Sequence, residues 1–301
     1  LAVQIPDKAT GDHEKRPPKL HGGGTAANTA VALARLGVTT SFVGAIGDDG
    51  YGRFAKNSLE QEGIDTADVV AVPAFTSVVL ALVDPHGERT LFGWPPRGAA
   101  HTKLEPAQIT PTIIEPAAWL HTTGMCLVQS PSRDALLKGM ELARVAEIPV
   151  SFDLNIRLGF ENGQLPPAFV DYLKRAIELA TIVLGSASDE LIHLAPATSA
   201  EESARKLAGA ERLVIARLGA AGAMAVTADY TLSVSAFPTQ VVDTIGAGDA
   251  FNAGFITACI EGKDVSEALR WGSAVAALTI GKAGARGVPH RPEVETLLTN
   301  Q

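Results

Sequence analysis

From Asp243 to Gly254 the chain reads Asp-Thr-Ile-Gly-Ala-Gly-Asp-Ala-Phe-Asn-Ala-Gly. Apolar residues recur at helical spacing from Ala250 to Glu261, with no breaker until Gly262, while residues that favour strands fill Ser233 to Val242. The glycines are therefore expected at a turn that opens into a helix. The first amides of a helix have no intrahelical acceptor and lie at the positive end of its dipole. Gly246, Ala247 and Gly248 can thus offer bare backbone donors to an anion. Asp249 is the odd residue in that setting. The dipole favours a carboxylate in the first turn, yet the same carboxylate repels a phosphate bound beside it, so its placement points to a proton acceptor aimed at a second substrate. Read blandly, Asp249 is an ordinary first-turn acid and the glycines only tighten the turn.

A second glycine run, Gly22-Gly23-Gly24, precedes Thr25-Ala26-Ala27-Asn28, and Ala30, Leu33, Ala34 and Gly37 fall at helical spacing behind it. This is again a turn into a helix that ends at Gly37. Its spacing does not fit the G-x-G-x-x-G turn of dinucleotide-binding folds, and G-x-x-x-x-G-K-[ST] is absent from the chain. Asn28 is a candidate substrate ligand, or else bonds local backbone.

The longer patterns carry a resemblance. Asp-Thr-x-Gly-Ala-Gly-Asp-x-Phe-x-Ala-Gly is similar to the C-terminal signature of the ribokinase-like (PfkB) carbohydrate kinases, matched from Asp243 to Gly254 without a gap. Gly23, Gly24 and Asn28 resemble the N-terminal signature Gly-Gly-x-x-x-Asn-x-Ala, and Gly44, Gly47, Asp49 and Gly52 a further family segment. The resemblance implies that Gly246, Ala247 and Gly248 stabilise the transferring phosphate, that Asp249 takes the proton of the attacking hydroxyl, and that Gly23, Gly24 and Asn28 bind the sugar. Arg97-Gly98-Ala99-Ala100 resembles the Arg-x-x-Ala segment of fructokinase-like and keto-deoxygluconate kinase-like members, in which the Arg reaches the substrate; Phe92 and Trp94 stand where the latter have tyrosines. Asp153-Leu154-Asn155-Ile156-Arg157 looks like the substrate motif of the same branches, with Asn155 and Arg157 as ligands.

On the nucleotide side the resemblance implies roles for Arg217, Gly219 and Gly222 in one loop and for Ser273 near the adenine. Arg217 either adds charge there or is an ordinary solvated residue. Ser186-Ala187-Ser188-Asp189 stands where relatives have Asn-x-x-Glu, a motif that organises water around Mg²⁺. Here Asp189 is the candidate, Glu190 can take the acidic role instead, and S-x-x-[DE] is equally a helix cap. The loop Lys282 to Pro289 resembles the one that, with Asp243 and the carbonyl of Ile245, holds a monovalent cation such as K⁺; Gly284 is its candidate residue. Asp48 and Asp49 read as capping acids.

These residues need a frame. Trp119 to Thr122, Val150 to Asp153, Ile182 to Leu184 and Leu213 to Arg217 read as strands that alternate with helices at Pro131 to Glu147, Pro167 to Ala180 and Ser199 to Ala208. Gly222 to Thr227 and Thr231 to Ser235 read as a hairpin, Thr40 to Ala45 as a strand, Arg53 to Glu62 and Val265 to Gly281 as helices. Such alternation implies parallel pairing through right-handed crossovers, and ligands gather at the C-terminal ends of the strands. The expected fold is a single ribokinase-like α/β domain over 1–301, doubly wound around a mainly parallel sheet flanked by helices. Thr76 to Val83 and Arg89 to Trp94, joined by Asp84-Pro85-His86-Gly87, form a hairpin that with part of 9–21 makes a small β-sheet lid over about 76–97. The lid closes on the sugar, contacts a second copy in a homodimer, or both. The resemblance also implies an opening strand ending in an Asp; none is legible ahead of Leu1, and the first strand is expected to be missing there.

The 301 residues carry a formal charge of -8, with 46% hydrophobic and 19% charged residues. That balance argues against a nucleic-acid groove or an anionic membrane surface. Cys126 and Cys259 are too few for a disulfide framework or thiolate zinc site and point to a reducing cytoplasm. No signal peptide and no run of about 18 apolar residues is present. The reading is an ATP- and Mg²⁺-dependent kinase that phosphorylates a hydroxymethyl group of a small sugar or sugar acid, leaning to the fructose or keto-deoxy acid branch over ribose or nucleosides. Two rivals stand beside it: a binding protein of this fold with impaired catalysis, and a nicotinamide-dependent oxidoreductase.

Overall fold

A computed structural model describes residues 2–4, 20–83, 89–156, 165–210 and 212–300. The first part holds β1 (Ala2–Gln4), α1 (Thr25–Arg35), β2 (Gly44–Gly47), α2 (Gly50–Glu60), β3 (Val69–Val72), β4 (Val78–Val83) and β5 (Arg89–Trp94). The middle holds α3 (Pro111–Ile114), β6 (Leu120–Thr123), α4 (Ser132–Val145), β7 (Val150–Asp153), α5 (Pro167–Leu179), β8 (Ile182–Ser186), α6 (Ile192–Leu194) and α7 (Ala200–Ala208). β9 (Leu213–Arg217), β10 (Ala223–Val226), β11 (Thr231–Val234), α8 (Ala247–Ile260), α9 (Val265–Ile280) and α10 (Arg291–Thr299) complete it.

Six strands form the central sheet in the order β11-β10-β9-β8-β7-β6; β6 to β9 are parallel, and β10 and β11 antiparallel. Both faces are covered, so the parallel strands read as nearly continuous apolar runs. The two-residue period sends Ile182 and Leu184 of β8, and Leu213 and Ile215 of β9, into a core shared with α1, α8 and α9. Val183, Val214 and Ala216 point the other way, into a core with α4, α5 and α7. β7 breaks the rule informatively. Val150 and Phe152 join the second core, whereas Ser151 and Asp153 are buried on the α8 side, where a polar pair must find partners.

β2 and β3 pair in parallel as a separate sheet, and β3 was not anticipated because a four-residue run carries almost no period. The strand expected at Thr40 to Ala45 begins at Gly44; ahead of it only Ser41 makes an isolated bridge, to Asp65. The strand expected through Val242 stops at Val234, since the amides of Val242 and Asp243 both turn to the Ile280 carbonyl and leave no ladder. Asp49 is the N-cap of α2 as read, its Oδ1 accepting from the Gly52 amide at 2.7 Å and its Oδ2 from the Thr76 amide at 2.8 Å.

The small sheet has the order β1-β4-β5, with β4 and β5 antiparallel and β1 parallel to β4. Its third strand is Ala2–Gln4, outside the 9–21 stretch expected to supply it. Residues 9–19 and the turn 84–88 lie outside the described residues. Among the described residues no helix is long and apolar enough to cross a membrane.

Candidate active site

α8 begins where the sequence placed it. Gly246 has φ 82°, in the left-handed region, and a Cβ there would lie 2.7 Å from the Ala285 carbonyl oxygen. Only glycine fits both constraints. Asp243 ties this turn to the loop beside it, its Oδ1 accepting from the Ile245 amide at 3.0 Å and its Oδ2 from the Gly284 amide at 2.8 Å. Within α8 the Ala250 amide reaches the Gly246 carbonyl at 2.9 Å, and the Ala247 amide folds back on the Thr244 carbonyl at a long 3.3 Å. The Gly248 amide precedes the first intrahelical bond, the place in a helix where an anion can be bound.

Asp249 is 7% exposed, and its Oδ2 accepts a 2.8 Å bond from the Asn28 side-chain amide. The Thr29 hydroxyl donates to the Asp249 carbonyl at 3.3 Å. Thus α1, 221 residues away in sequence, is docked on the first turn of α8 by its own first turn. α1 in turn starts at Gly24, with φ 99°, and Thr25 meets Thr123 at the end of β6, hydroxyl to hydroxyl at 3.2 Å. Asn28 is 6% exposed, and its buried Oδ1 has no partner among the described residues. An acceptor left open beside a carboxylate suits a ligand hydroxyl.

Beneath that turn lies a buried ionic cluster that sequence reasoning missed. Arg217, at the end of β9, donates to Asp153 Oδ1 at 2.8 Å and to Asn252 Oδ1 at 2.7 Å, with Glu190 Oε2 at 3.5 Å. Arg217 is turned inward beside the start of α8, its side chain 16% exposed, so it is not an ordinary solvated residue. Asp153, 1% exposed, serves the same cluster and cannot also face a sugar. Burial lowers the Arg217 pKa, but the charges of Asp153, Glu190 and Asp249 outweigh it, and the guanidinium is held more firmly protonated than usual. Glu190 is raised, first by burial and then by the charge of Asp153. Its oxygens accept the amides of Ile156 and Ser186, each at 2.6 Å, so it clamps two strand ends together. Next to the cluster, burial pushes His121 down to about 4, its Nδ1 lying 2.8 Å from the Ser151 hydroxyl. The signal was unreadable locally because Asp153 and Arg217 are 64 residues apart.

The other sequence candidates fall as follows. Gly23 stands in open space ahead of α1. Arg97 is exposed after β5, Asn155 is half-buried with φ 38°, and Arg157 lies outside the described residues. Ser186 donates to Asp189 Oδ2 at 3.0 Å and accepts from the Asp189 amide at 3.3 Å, so the cap geometry is present and Asp189 stays exposed. Gly219 opens a single turn with φ 59°. Gly222 is demanded by its hairpin: a Cβ there would meet the Val234 carbonyl at 2.0 Å. Ser273 on α9 is 6% exposed, and its hydroxyl has no partner among the described residues. Gly284 gives its amide to Asp243, and its carbonyl accepts from the Gly287 amide at 3.0 Å. Ile245 is 42% exposed. Among the described residues no group of three or more His, Cys, Asp or Glu is gathered for a metal. Mg²⁺ usually needs only one or two carboxylates besides substrate phosphates, which exposed Asp189 satisfies and clamped Glu190 does not.

A family model described as pfkB family carbohydrate kinase matches residues 3–291. The chain belongs to the PfkB family of carbohydrate kinases. This PfkB chain is 30% identical over 290 residues to the 5-dehydro-2-deoxygluconokinase of Bacillus subtilis strain 168, covering 93% of this chain and 87% of that one. It is 33% identical over 303 residues to the ATP-dependent ribose-1-phosphate kinase of Halopiger xanaduensis, covering 100% and 94%. Among solved structures, the fructokinase of Xylella fastidiosa with bound ATP superposes with a TM-score of 0.85 at 28% identity, over 100% of this chain and 96% of that one. An Escherichia coli protein described as a putative Ribokinase II, in complex with ATP and Mg²⁺, gives 0.83 at 26%, over 99% and 96%. The fold is therefore ribokinase-like, as the two signatures implied, and the chain is a carbohydrate kinase.

Proposed function

We propose that this kinase transfers the γ-phosphate of ATP to a hydroxymethyl group of a small sugar or sugar acid, with Asp249 as the proton acceptor. One observation carries the reading: a nearly buried carboxylate, pinned by Asn28, stands in the first turn of α8 directly after the Gly-Ala-Gly run. The backbone of Gly246, Ala247 and Gly248 stabilises charge on the transferring phosphate, and Asp249 orients and deprotonates the attacking hydroxyl in line with it. Gly23, Gly24 and the open Asn28 oxygen receive sugar hydroxyls. Mg²⁺, when bound, neutralises charge between the β- and γ-phosphates; Asp189 holds it through water.

ATP is supported by both superposed structures, which contain it, and Mg²⁺ by the Escherichia coli one. The fructose or keto-deoxy acid branch is supported by Arg97 and Asn155 in this chain and by the names of two relatives; the ribose-1-phosphate kinase of similar identity is evidence for a phosphorylated pentose. K⁺ would sit against Asp243 and the Ile245 carbonyl, a reading supported by the way Asp243 bridges that turn to the Gly284 loop. A homodimer through the lid draws on its exposed Val79, Phe92 and Trp94. The cytoplasm is the compartment that free Cys126 and Cys259 fit.

Asp249→Asn tests the mechanism. It nearly conserves size and should keep fold and ATP binding while kcat falls at least about 10²-fold. Near-normal turnover would sink the assignment. ADP release across fructose, 5-dehydro-2-deoxygluconate, ribose, ribose 1-phosphate and nucleosides identifies the acceptor.

A further inference from the structure

We propose that Glu190 is a positioning residue for the acceptor: one of its carboxylate oxygens fixes the left-handed bend that presents Asn155, while the other is anchored on β8. This rests on the proposed reading of Asn155 as an acceptor ligand. Just past β7 the Leu154 amide still bonds the Leu184 carbonyl of β8, at 2.9 Å. The chain then bends at Asn155, with φ 38°, a region that residues other than glycine seldom enter and that Asn enters more readily than most. The next amide, that of Ile156, donates to Glu190 Oε1 at 2.6 Å. Leu154 and Ile156 are 0% and 7% exposed, so the half-buried Asn155 between them is the side chain that this bend turns away from the core.

Glu190 can hold the bend because its own place is fixed. A single π turn, Ala187–Leu191, leads out of β8, and in it Asp189 stays exposed while Glu190 is 5% exposed. Turns of this kind recur at functional sites. Glu190 Oε2 accepts the Ser186 amide at 2.6 Å, and Ser186 is paired in register with Arg217 of β9, so the carboxylate is tied to the middle of the sheet. A carboxylate has an acceptor oxygen for each amide, whereas Gln has one and Met none. The bend also lies at the acceptor end of the sheet. Thr123, in register with Asp153, meets Thr25 hydroxyl to hydroxyl at 3.2 Å, and Thr25 opens the helix turn that carries Asn28 and its bond to Asp249.

The test measures KM for fructose and for ATP, with 5-dehydro-2-deoxygluconate, ribose or ribose 1-phosphate in place of fructose if the ADP-release screen returns one of them, and amide exchange at Ile156 and Ser186 in the ligand-free protein. Glu190→Met keeps the bulk and removes both acceptor oxygens. It should raise acceptor KM about 10-fold, leave KM for ATP within about threefold, and speed exchange of both amides at least about 10-fold. Asn155→Gly accepts the left-handed backbone and removes the ligand. Alone it should raise acceptor KM at least about 10-fold, and adding Glu190→Met to it should change that KM by less than about twofold. An acceptor KM within about twofold of wild type in Glu190→Met, or full additivity of the two changes, overturns the proposal. Additivity would mean that Glu190 acts by another route, such as its 3.5 Å contact with Arg217. If Glu190→Met does not fold, Glu190→Gln keeps the size and one acceptor oxygen. At least one of the two amides should then exchange about 10-fold faster and acceptor KM should rise at least about threefold; unchanged exchange at both amides, or an unchanged KM, overturns the proposal. Asn155→Gly also separates the two levels. A wild-type acceptor KM in that variant removes the reading of Asn155 as a ligand and the proposal with it, whereas a raised one beside an unaffected Glu190→Met removes only the role given to Glu190.

Discussion

Asn28 meets Asp249 through its nitrogen and leaves its oxygen without a partner among the described residues, so the two ends of one side chain can serve two partners. A similar economy holds at Gly246, whose left-handed backbone and close approach to Ala285 are both conditions that a side chain would violate. Gly246→Ala should therefore cost about 1–2 kcal/mol for the backbone conformation alone, and more because the Ala285 loop must move. The expected outcome is a lower melting temperature together with a loss of turnover, since the amides that the proposed mechanism aims at the phosphate are displaced by the same shift. Thermal melting and kcat measured on one preparation check it; a variant that melts and turns over like the parent would show that the turn is not strained.

At the scale of elements, α1 is held at both ends. Its start is bound to α8 by Asn28 and Thr29, and its last residue, Arg35, bonds Glu62 beyond α2 through Nε at 2.9 Å and the carbonyls of Arg286 and Val288 at 3.0 and 3.1 Å. The Arg35 hydrogen bonds pull the Glu62 pKa below its ordinary 4.5, against a smaller opposing effect of burial. A carboxylate whose folded pKa is depressed adds stability that is fully present above the unfolded value and is lost as pH falls through the folded one. Glu62→Gln should accordingly lower the melting temperature at pH 6 to 7 and flatten its decline below about pH 4.5. Melting curves of the two proteins from pH 3 to 7 decide the matter; parallel curves would mean that the pair contributes nothing. The effect is modest, because both side chains remain about a fifth exposed.

At the scale of the whole molecule, the small sheet leaves apolar side chains open to solvent. By register, Val78 lies opposite Trp94 and Leu80 opposite Phe92, so these four share one face, on which Phe92 and Trp94 are 52% and 62% exposed. Apolar side chains left this open on a two-stranded antiparallel ribbon with one short added strand are poorly stabilised as they stand. Saturating acceptor sugar with a non-hydrolysable ATP analogue should slow amide hydrogen exchange in 78–83 and 89–94, and leave the already buried β7 to β9 unchanged. Equal exchange with and without ligand would assign the sheet a purely structural or dimer-forming role.

The sequence by itself determined two glycine turns that open into helices and the class of fold. Gly246 to Asp249 and Gly22 to Asn28 are local runs in which spacing fixes a turn and a helix start, and the alternation of β6 to β9 with helices fixes a parallel sheet. Boundaries were legible where periods are long, as in α4, α5 and α9, and failed where four residues make a strand, as in β3, or where a strand-like stretch bonds a single carbonyl, as at Val242. Tertiary structure alone decided which polar residues face inward. Asp153 and Arg217 both end strands, and neither local run shows that they meet. They turn toward one another because β7 and β9 flank β8, their last side chains project on the same face, and α8 packs over that face. A buried charge without a partner is costly enough to be avoided, and a partner 64 residues away is supplied by the fold and by no local pattern.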